Sequence, residues 1–519
     1  MQIDFGNAKV IAYICTRFHA AVAQLVEHWL PKPRVAGSSP VCRSQKVVTD
    51  RHTMAVFIII TIITVSLLLI ATENVNHINK AAVAMFMGVI CWLLYIGYGT
   101  MFVVSEHQVD FLSFLTNHPI AGNSVKEFIA NSIFVGYVAR AAEIVLFILA
   151  TMTIVEVLNN NGCFDFLQEW LRTRSPRRYL WIMAGFTFLL SCNLDNLTTV
   201  CLMLAMMHTM VADEKQRMIF GSVIIISANC GGACTVIGDI TSLTLWTNGV
   251  ITPSVYFLRL ILPIMAALLT VILFVSVKLP HRLRFIQTAP PYRGDDTVLV
   301  RWQRLLMLFI GIGGLWFIPT FHSITLLPPF LGALCVLSLL WIVNELCNRS
   351  LLGSDKMVRK MQPMALQYVN IQNILFFIGI SLTFDAVSET GALGTLFHWC
   401  SSHLNNNVYA IGSVMGLVSG VFNSITVILA NVSMFSSDVV QTYPELAQSF
   451  GQDGIYWPLL SFSTALGGSI LSVGSMAGIT LMRMEGVSVR WYIRHISGKV
   501  LAGWIVGLLV FYFITEYPN

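Results

Sequence analysis

Eight strongly apolar runs, at 54–72, 80–103, 130–158, 254–279, 303–320, 326–347, 368–388 and 495–514, decide most of what this chain can be. A bilayer core of about 30 Å takes roughly 20 apolar residues per helix. In lipid only helices and closed barrels satisfy their own backbone, and runs of this length read as helices. Of the 519 residues, 56% are hydrophobic and 11% charged, against roughly 25% charged in a soluble domain. The expected fold is an all-α polytopic membrane protein whose surface faces the lipid bilayer. No basic run alternates with aromatics, so nucleic acid is not an expected partner. The eleven Cys show neither CxxC pairs nor zinc spacing and read as small apolar residues.

The first 53 residues differ from the rest. They hold seven Lys/Arg, three acids and no spanning run. The stretch AVAQLVEHWLPKPRVAGSSPVCRS resembles a recurrent spurious translation product, so residues 1–53 are expected to be a non-native extension, with Met54 the true start. No apolar core followed by a small-residue cleavage site marks a signal peptide.

Four further stretches are apolar but broken by Gly, Ser, Asn and Thr: 179–211, 218–252, 407–436 and 456–485. Positive charge orients loops toward the cytoplasm. It gathers at Arg172, Arg174, Arg177 and Arg178, at Lys278, Arg282, Arg284 and Arg293, at Arg349, Lys356, Arg359 and Lys360, and at Arg483, Arg490, Arg494 and Lys499. The segments 104–127 and 437–455 (Asp438, Glu445, Asp453) are acidic. With the basic loops inside, the count closes only if 179–211 and 407–436 are re-entrant hairpins. Segments 218–252 and 456–485 then cross once each, broken in the middle. The result is about ten crossings plus two hairpins, in a bacterial inner (plasma) membrane.

Three pairs of segments match at an offset of about 228–236 residues. LFILATMTIVEVLNNNG (146–162) pairs with LFFIGISLTFDAVSETG (375–391), aligning Glu156 with Asp385. SCNLDNLT (191–198) pairs with SGVFNSIT (419–426), aligning Asp195 with Asn423 and Thr198 with Thr426. SANCGGACTVIGD (227–239) pairs with STALGGSILSVGS (463–475), aligning the Gly pairs and Gly238 with Gly474. Under the charge-based topology 130–158 runs inward and 368–388 outward, so the repeats are inverted, an architecture of secondary transporters. The expected layout is N-terminal helices at 54–129, repeat 1 at 130–279, linking helices and cytoplasmic loops at 280–367 and repeat 2 at 368–519.

The motif chemistry suits a cation. Gly231-Gly232 and Gly467-Gly468 are expected to let the chain leave helical geometry and free carbonyls. Thr198, Thr199, Thr235, Thr426, Ser472 and Ser475 supply hydroxyls, and hard cations take oxygen ligands. Asn196, Asn423 and Ser424 belong to the same polar set. Asp195 is the sharpest feature, because a charge at the bilayer centre costs roughly 2.5–3.5 kcal/mol on insertion scales. A carboxylate there can hold a proton or a metal cation, and their competition is a minimal exchange mechanism. Asp195 also suits the cap of a half-helix at 197–211. Asp239 reads equally as a cap or an ion contact. Glu143, Glu156 and Asp385 are candidate proton-relay groups; against this stand an Arg140–Glu143 pair and interfacial snorkelling for Asp385. His208 reads as a packed polar residue before a pH sensor, and Gly416-x3-Gly420 as helix packing.

LDNLTT (194–199), ANCGGACTVIGDIT (228–241) and GGSILSVGSMAGI (467–479) resemble the signatures of the NhaD family of sodium/proton antiporters, within the ion transporter superfamily. The resemblance covers roughly 54–519. It implies an elevator-like fold with two hairpins and exchange of Na⁺ or Li⁺ for H⁺, with no cofactor. It points to Asp195, Thr198, Thr199, Asn229, Asp239, Thr241, Ser419, Ser424, Ser472 and Ser475, with Na⁺ held through Asp195, Thr198 and Thr199. Gly232 and Gly468 fall inside the same signatures. Family members are often dimers, so a homodimer is expected on that ground alone. Where relatives often carry Asp-Asn, this chain has Asn423-Ser424, which leaves Asp195 as the main carrier. Sodium-coupled organic anion uptake and arsenite export are alternatives within the superfamily. They are disfavoured by Asp195 and by the lack of an obvious anion-binding Arg within the hairpins. An intramembrane enzyme is the remote alternative, since neither HExxH nor GxSxG occurs.

Overall fold

The computed structural model describes residues 40–76, 78–117, 123–173, 175–277, 279, 299–349, 371–393, 403, 407–435 and 447–516. It divides into two compact units, Met1–Thr53 and Met54–Asn519. The buried core and all the polar motifs belong to the second. Arg174, Lys278, Arg282, Arg284, Arg293, Lys356, Arg359, Lys360, Asp438 and Glu445 lie outside the described residues.

Among the described residues every regular element is a helix, and nine helices are long and apolar enough to cross a membrane. They are α1 (Thr53–Ala71), α2 (Lys80–Gly97), α3 (Ser124–Asn160), α6 (Glu214–Cys234), α8 (Pro253–Ser276), α9 (Arg301–Thr325), α10 (Pro329–Cys347), α11 (Ile371–Ser388) and α16 (Val489–Glu516). Between them come shorter helices: α4 (Pro176–Ser191), α5 (Asn196–Met210), α7 (Ile240–Thr247), α12 (Val408–Ser419), α13 (Ser424–Met434), α14 (Tyr456–Ile470) and α15 (Met476–Glu485). The interrupted stretches of the sequence are thus helix–break–helix units. Their starts follow local chemistry. Proline opens α4, α8 and α10, where its missing N–H costs nothing. Asp213 and Asn407 cap α6 and α12 with their side chains.

The glycine pairs do not break helices. Gly231 and Gly232 lie inside α6 and Gly467 and Gly468 inside α14, and the chain leaves helical geometry only at 235–239 and 471–475. The expectation that these glycines free carbonyls is therefore corrected: they let neighbouring backbone approach. A Cβ on Gly231 would lie 2.4 Å from the Phe188 carbonyl oxygen, and one on Gly467 would lie 1.9 Å from that of Gly416. Helices can pack this closely only across small residues.

The matched segments make matched contacts. Ser191 Oγ donates to the Ala228 carbonyl at 2.7 Å, and Ser419 Oγ to the Thr464 carbonyl at 2.9 Å. A Cβ on Gly238 would meet Ser191 O at 2.6 Å, and one on Gly474 would meet Ser419 O at 2.1 Å. In each copy the first arm of the hairpin-like unit is seated on the helix that carries the glycine pair. Gly416 and Gly420 serve packing as expected, against Ser463 and Gly467. Elsewhere α2 and α11 cross through Gly88 and Gly379.

Candidate functional site

Two helix breaks and two helix-to-helix turns converge between the copies. Asp195 caps α5: Oδ2 accepts from Thr198 N at 3.2 Å and from Thr198 Oγ1 at 3.3 Å. Its Oδ1 is buried with no hydrogen-bond partner. Capping and an uncommitted oxygen thus coexist on one carboxylate. Asp239 stands at the start of α7 with no side-chain capping bond; its Oδ2 accepts from the Thr241 hydroxyl. Asn196 Nδ2 donates to Asn229 Oδ1 at 3.3 Å, and Asn229 Nδ2 to Ser469 Oγ at 2.8 Å, which ties the two broken stretches together.

The second copy offers neutral groups. Asn423 Oδ1 caps α13 at Ile425 N (3.0 Å), while its Nδ2 is buried without a partner. Ser424 Oγ lies 3.0 Å from Ser419 Oγ. Ser475 caps α15 at Gly478 N. Ser472 holds a left-handed backbone, φ 59°, uncommon for a residue other than Gly, with its hydroxyl toward Met482 Sδ at 3.6 Å. Thr199 Oγ1 and Thr426 Oγ1, in α5 and α13, are both buried without a hydrogen-bond partner.

A cavity of about 20 Å³ lies at this convergence, lined by Asn196, Asn229, Asp239 and Thr241 of the first copy and Asn423, Ser424 and Ser475 of the second. That is room for one water or one bare ion. Asn373 of α11 also lines it; sequence reasoning missed this residue, because nothing local marks an Asn in an apolar helix as cavity-facing. Asp195, Thr198, Thr199, Gly232, Ser419, Thr426, Gly468 and Ser472 do not line it. Asp195 is nonetheless near enough for its charge and that of Asp239 to act on each other.

The three relay candidates lie elsewhere. Glu143 and Glu156 are half-buried on α3, and the charges of Glu156 and Asp195 both reach Cys201 on α5. Among the described residues no ion pair joins Arg140 to Glu143; Arg140 lies over the Tyr137 ring, 4.6 Å from its centre. Asp385 is half-buried, and its Oδ2 accepts from Ser381 Oγ at 3.3 Å. His208 is not a lone packed residue. With Arg217 it holds the buried Glu485, at 2.8 and 2.7 Å.

One turn beyond Asp385 sits Glu389, buried, which the sequence reading passed over. It accepts from Tyr137 OH at 2.5 Å and Tyr95 OH at 3.3 Å, and lies 2.6 Å from His107 Nε2. The signal available was an acid four residues after another at a helix end. The hydrogen bond to Glu389 is the main cause that holds the His107 pKa above its usual 6.5. A raised folded-state pKa stabilises the fold below the unfolded value, and the contribution is lost as pH rises through the folded one. The thermal midpoint in detergent should therefore fall as pH rises above about 6.5. In His107→Gln that pH-dependent component should vanish; an identical slope in both proteins would refute the assignment.

Comparison with known proteins identifies the family. Residues 54–448 match the family model described as "Citrate transporter". Sodium/proton antiporter 2 of Arabidopsis thaliana is 32% identical over 381 residues, 73% of this chain and 87% of that protein. The Na⁺/H⁺ antiporter NhaD of Vibrio cholerae is 28% identical, covering 71% of this chain and 77% of its own length. That of Alkalimonas amylolytica is 26% identical over 469 residues, covering 86% and 88%. The chain belongs to this transporter family, on its NhaD-type branch, and is a multi-pass membrane transporter rather than an enzyme.

Proposed function

We propose that the chain exchanges Na⁺ or Li⁺ for H⁺, with cation and proton competing for two carboxylates, the half-buried Asp239 and the buried Asp195. The carrying observation is the cavity itself. It has the size of one ion, and the described residues that line it supply one carboxylate together with amide and hydroxyl oxygens and include no Lys or Arg. Such a donor set suits a hard monovalent cation. The names of the relatives support the same reading. Two carboxylates whose charges act on each other in a low-dielectric site are relieved by one proton or one cation. The second negative charge that Asn423 fails to provide would thus come from within the first copy.

The proposed architecture is two inverted repeats, each with a re-entrant hairpin and a broken crossing. Support comes from the matched contacts, and from the Tyr137–Glu389 bond, which brings the first half of α3 to the residue that follows α11. The nine long helices plus a broken passage through α14 and α15 agree with about ten crossings. The proposed location is a bacterial inner (plasma) membrane, although relatives occur in plants as well as bacteria.

The description of the family model favours one other reading, uptake of an organic anion. Among the described residues that line the cavity an anion would meet Asp239 and no Lys or Arg, which argues against it. The deciding experiment is dequenching of a pH dye in inverted vesicles when Na⁺, Li⁺, K⁺ or citrate is added. Na⁺ or Li⁺ should dequench it. Silence to every cation between about pH 7 and 9.5 would sink the antiport reading.

A further inference from the structure

A second polar group lies just off the site, on elements that the antiport reading leaves unused. Glu73 and Lys80 are buried, with side chains 9% and 5% exposed. Glu73 opens the short helix Glu73–Asn76 and Lys80 is the first residue of α2. Glu73 Oε1 accepts from Arg483 Nη2 at 3.2 Å, and the Arg483 side chain is 61% exposed. Glu73 Oε2 is buried without a hydrogen-bond partner and lies 3.9 Å from Lys80 Nζ. Lys80 Nζ sits 5.4 Å over the Phe376 ring. Both side chains line a cavity of about 10 Å³, together with Val421, Val473 and Asn423. That is roughly the space of one water.

Asn423 is the link. It lines this cavity and also the larger one that contains Asp239. Its Nδ2 is buried without a partner. A reorientation of this one amide would let single waters in the two cavities meet. The outer end of the path is open through Glu73, whose other oxygen is held by an exposed guanidinium. A buried ammonium with an ion partner only at 3.9 Å is costly to maintain as a purely structural element. A lysine, unlike an arginine, can give up its proton.

We propose that Lys80, poised by Glu73, carries the exchanged proton between Asp239 and the compartment on the Arg483 side. This rests on the antiport reading. In the release step the Nζ–H bond of Lys80 breaks and the proton passes to water beside Glu73 and Arg483. The lone pair left on Nζ then takes a proton from the cavity water. That water is reprotonated from the carboxyl of Asp239, which is left charged to receive the cation. No oxidant or further reactant is required.

The charged groups facing Lys80 are few. Among the described residues Glu73 and Arg483 are the two ionic ones. Helix α11 faces it with Phe376, and the only charged residue on α11 is Asp385, near its other end. Helices α1, α12 and α13 contain no charged residue. On α15 the other ionic residue, Glu485, is taken by Arg217 and His208.

Lys80→Arg is the discriminating variant, because it keeps the positive charge beside Glu73 and cannot release a proton. In inverted vesicles at saturating Na⁺, its exchange rate should fall about tenfold, with the half-saturating Na⁺ concentration unchanged. A structural ion pair would be rescued by Arg, so wild-type rate and pH profile in Lys80→Arg would overturn the proposal. Glu73→Gln provides an independent reading should Lys80→Arg fail to insert. Removing the anion lets Lys80 release its proton at lower pH, so half-maximal exchange should move toward acid by about one pH unit; an unmoved midpoint overturns the proposal as well. The wild-type chain separates the two ideas. If it shows no cation-driven proton movement, both fall. If it exchanges and the variants match it, only the role of Lys80 falls.

Discussion

Asp239→Asn is expected to abolish cation-driven proton movement in vesicles without changing expression or thermal midpoint. The substitution keeps shape, and an amide oxygen can still accept from the Thr241 hydroxyl. What it removes is the charge facing the cavity. Asp195→Asn should have the same outcome for a related reason. Asn caps a helix as well as Asp does, so α5 keeps its start while the uncommitted Oδ1 is replaced. Asp195→Ala should instead lose the cap and about 1 kcal/mol of stability. Persistent exchange in Asp195→Asn would make that residue structural, and persistence in Asp239→Asn would remove the cavity from the mechanism.

The largest stability effect is expected at the glycines that touch backbone. In Gly467→Ala the new carbon would lie 1.9 Å from the Gly416 carbonyl oxygen, and in Gly231→Ala 2.4 Å from that of Phe188. Backbone cannot rotate away as a side chain can, so the paired helices must separate. Overpacking of this kind costs about 1–3 kcal/mol, and more when nothing yields. Both variants should show a lowered thermal midpoint and reduced yield of monodisperse protein. Gly185→Ala provides the contrast. Nothing lies within 4 Å of its new carbon, and a helical Ala is favoured over Gly by up to about 1 kcal/mol. If all three variants behaved alike, close backbone approach would not be what the glycine pairs are for.

Much of the helical layout was legible because lipid leaves few choices for a long apolar run. The runs at 254–279 and 368–388 became α8 and α11 with small shifts at their ends. The positions of the polar interruptions were legible too, since Asn, Ser and Thr cluster where backbone or cavity needs them. Their local geometry was less so. A Gly pair inside apolar sequence is compatible with a break or with a tight crossing, and only the partner's position decides. The breaks fell three or more residues later, at 235–239 and 471–475. Asp195 stood out as an acid beside a hydroxyl run. Yet it is Asp239 that lines the cavity, because the turn before α7 aims it there. Glu389 and Glu73 escaped notice because decisive partners lie far along the chain, 282 residues away for Glu389 and His107 and 410 for Glu73 and Arg483.

A space of about 20 Å³ between the two copies has a bearing on the speed of transport as well as its chemistry. An ion that fits there cannot bring its hydration shell, so the water must be stripped before arrival and restored on departure. Asn196, Asn229 and Ser475, three of the donors around the cavity, are held by a cap and by interhelical hydrogen bonds. They can replace the lost waters only for an ion whose radius matches their spread. Discrimination among alkali cations would then follow the balance between dehydration and refit. A carrier of this kind should show a steep temperature dependence of turnover, with cation size felt in rate before it is felt in affinity.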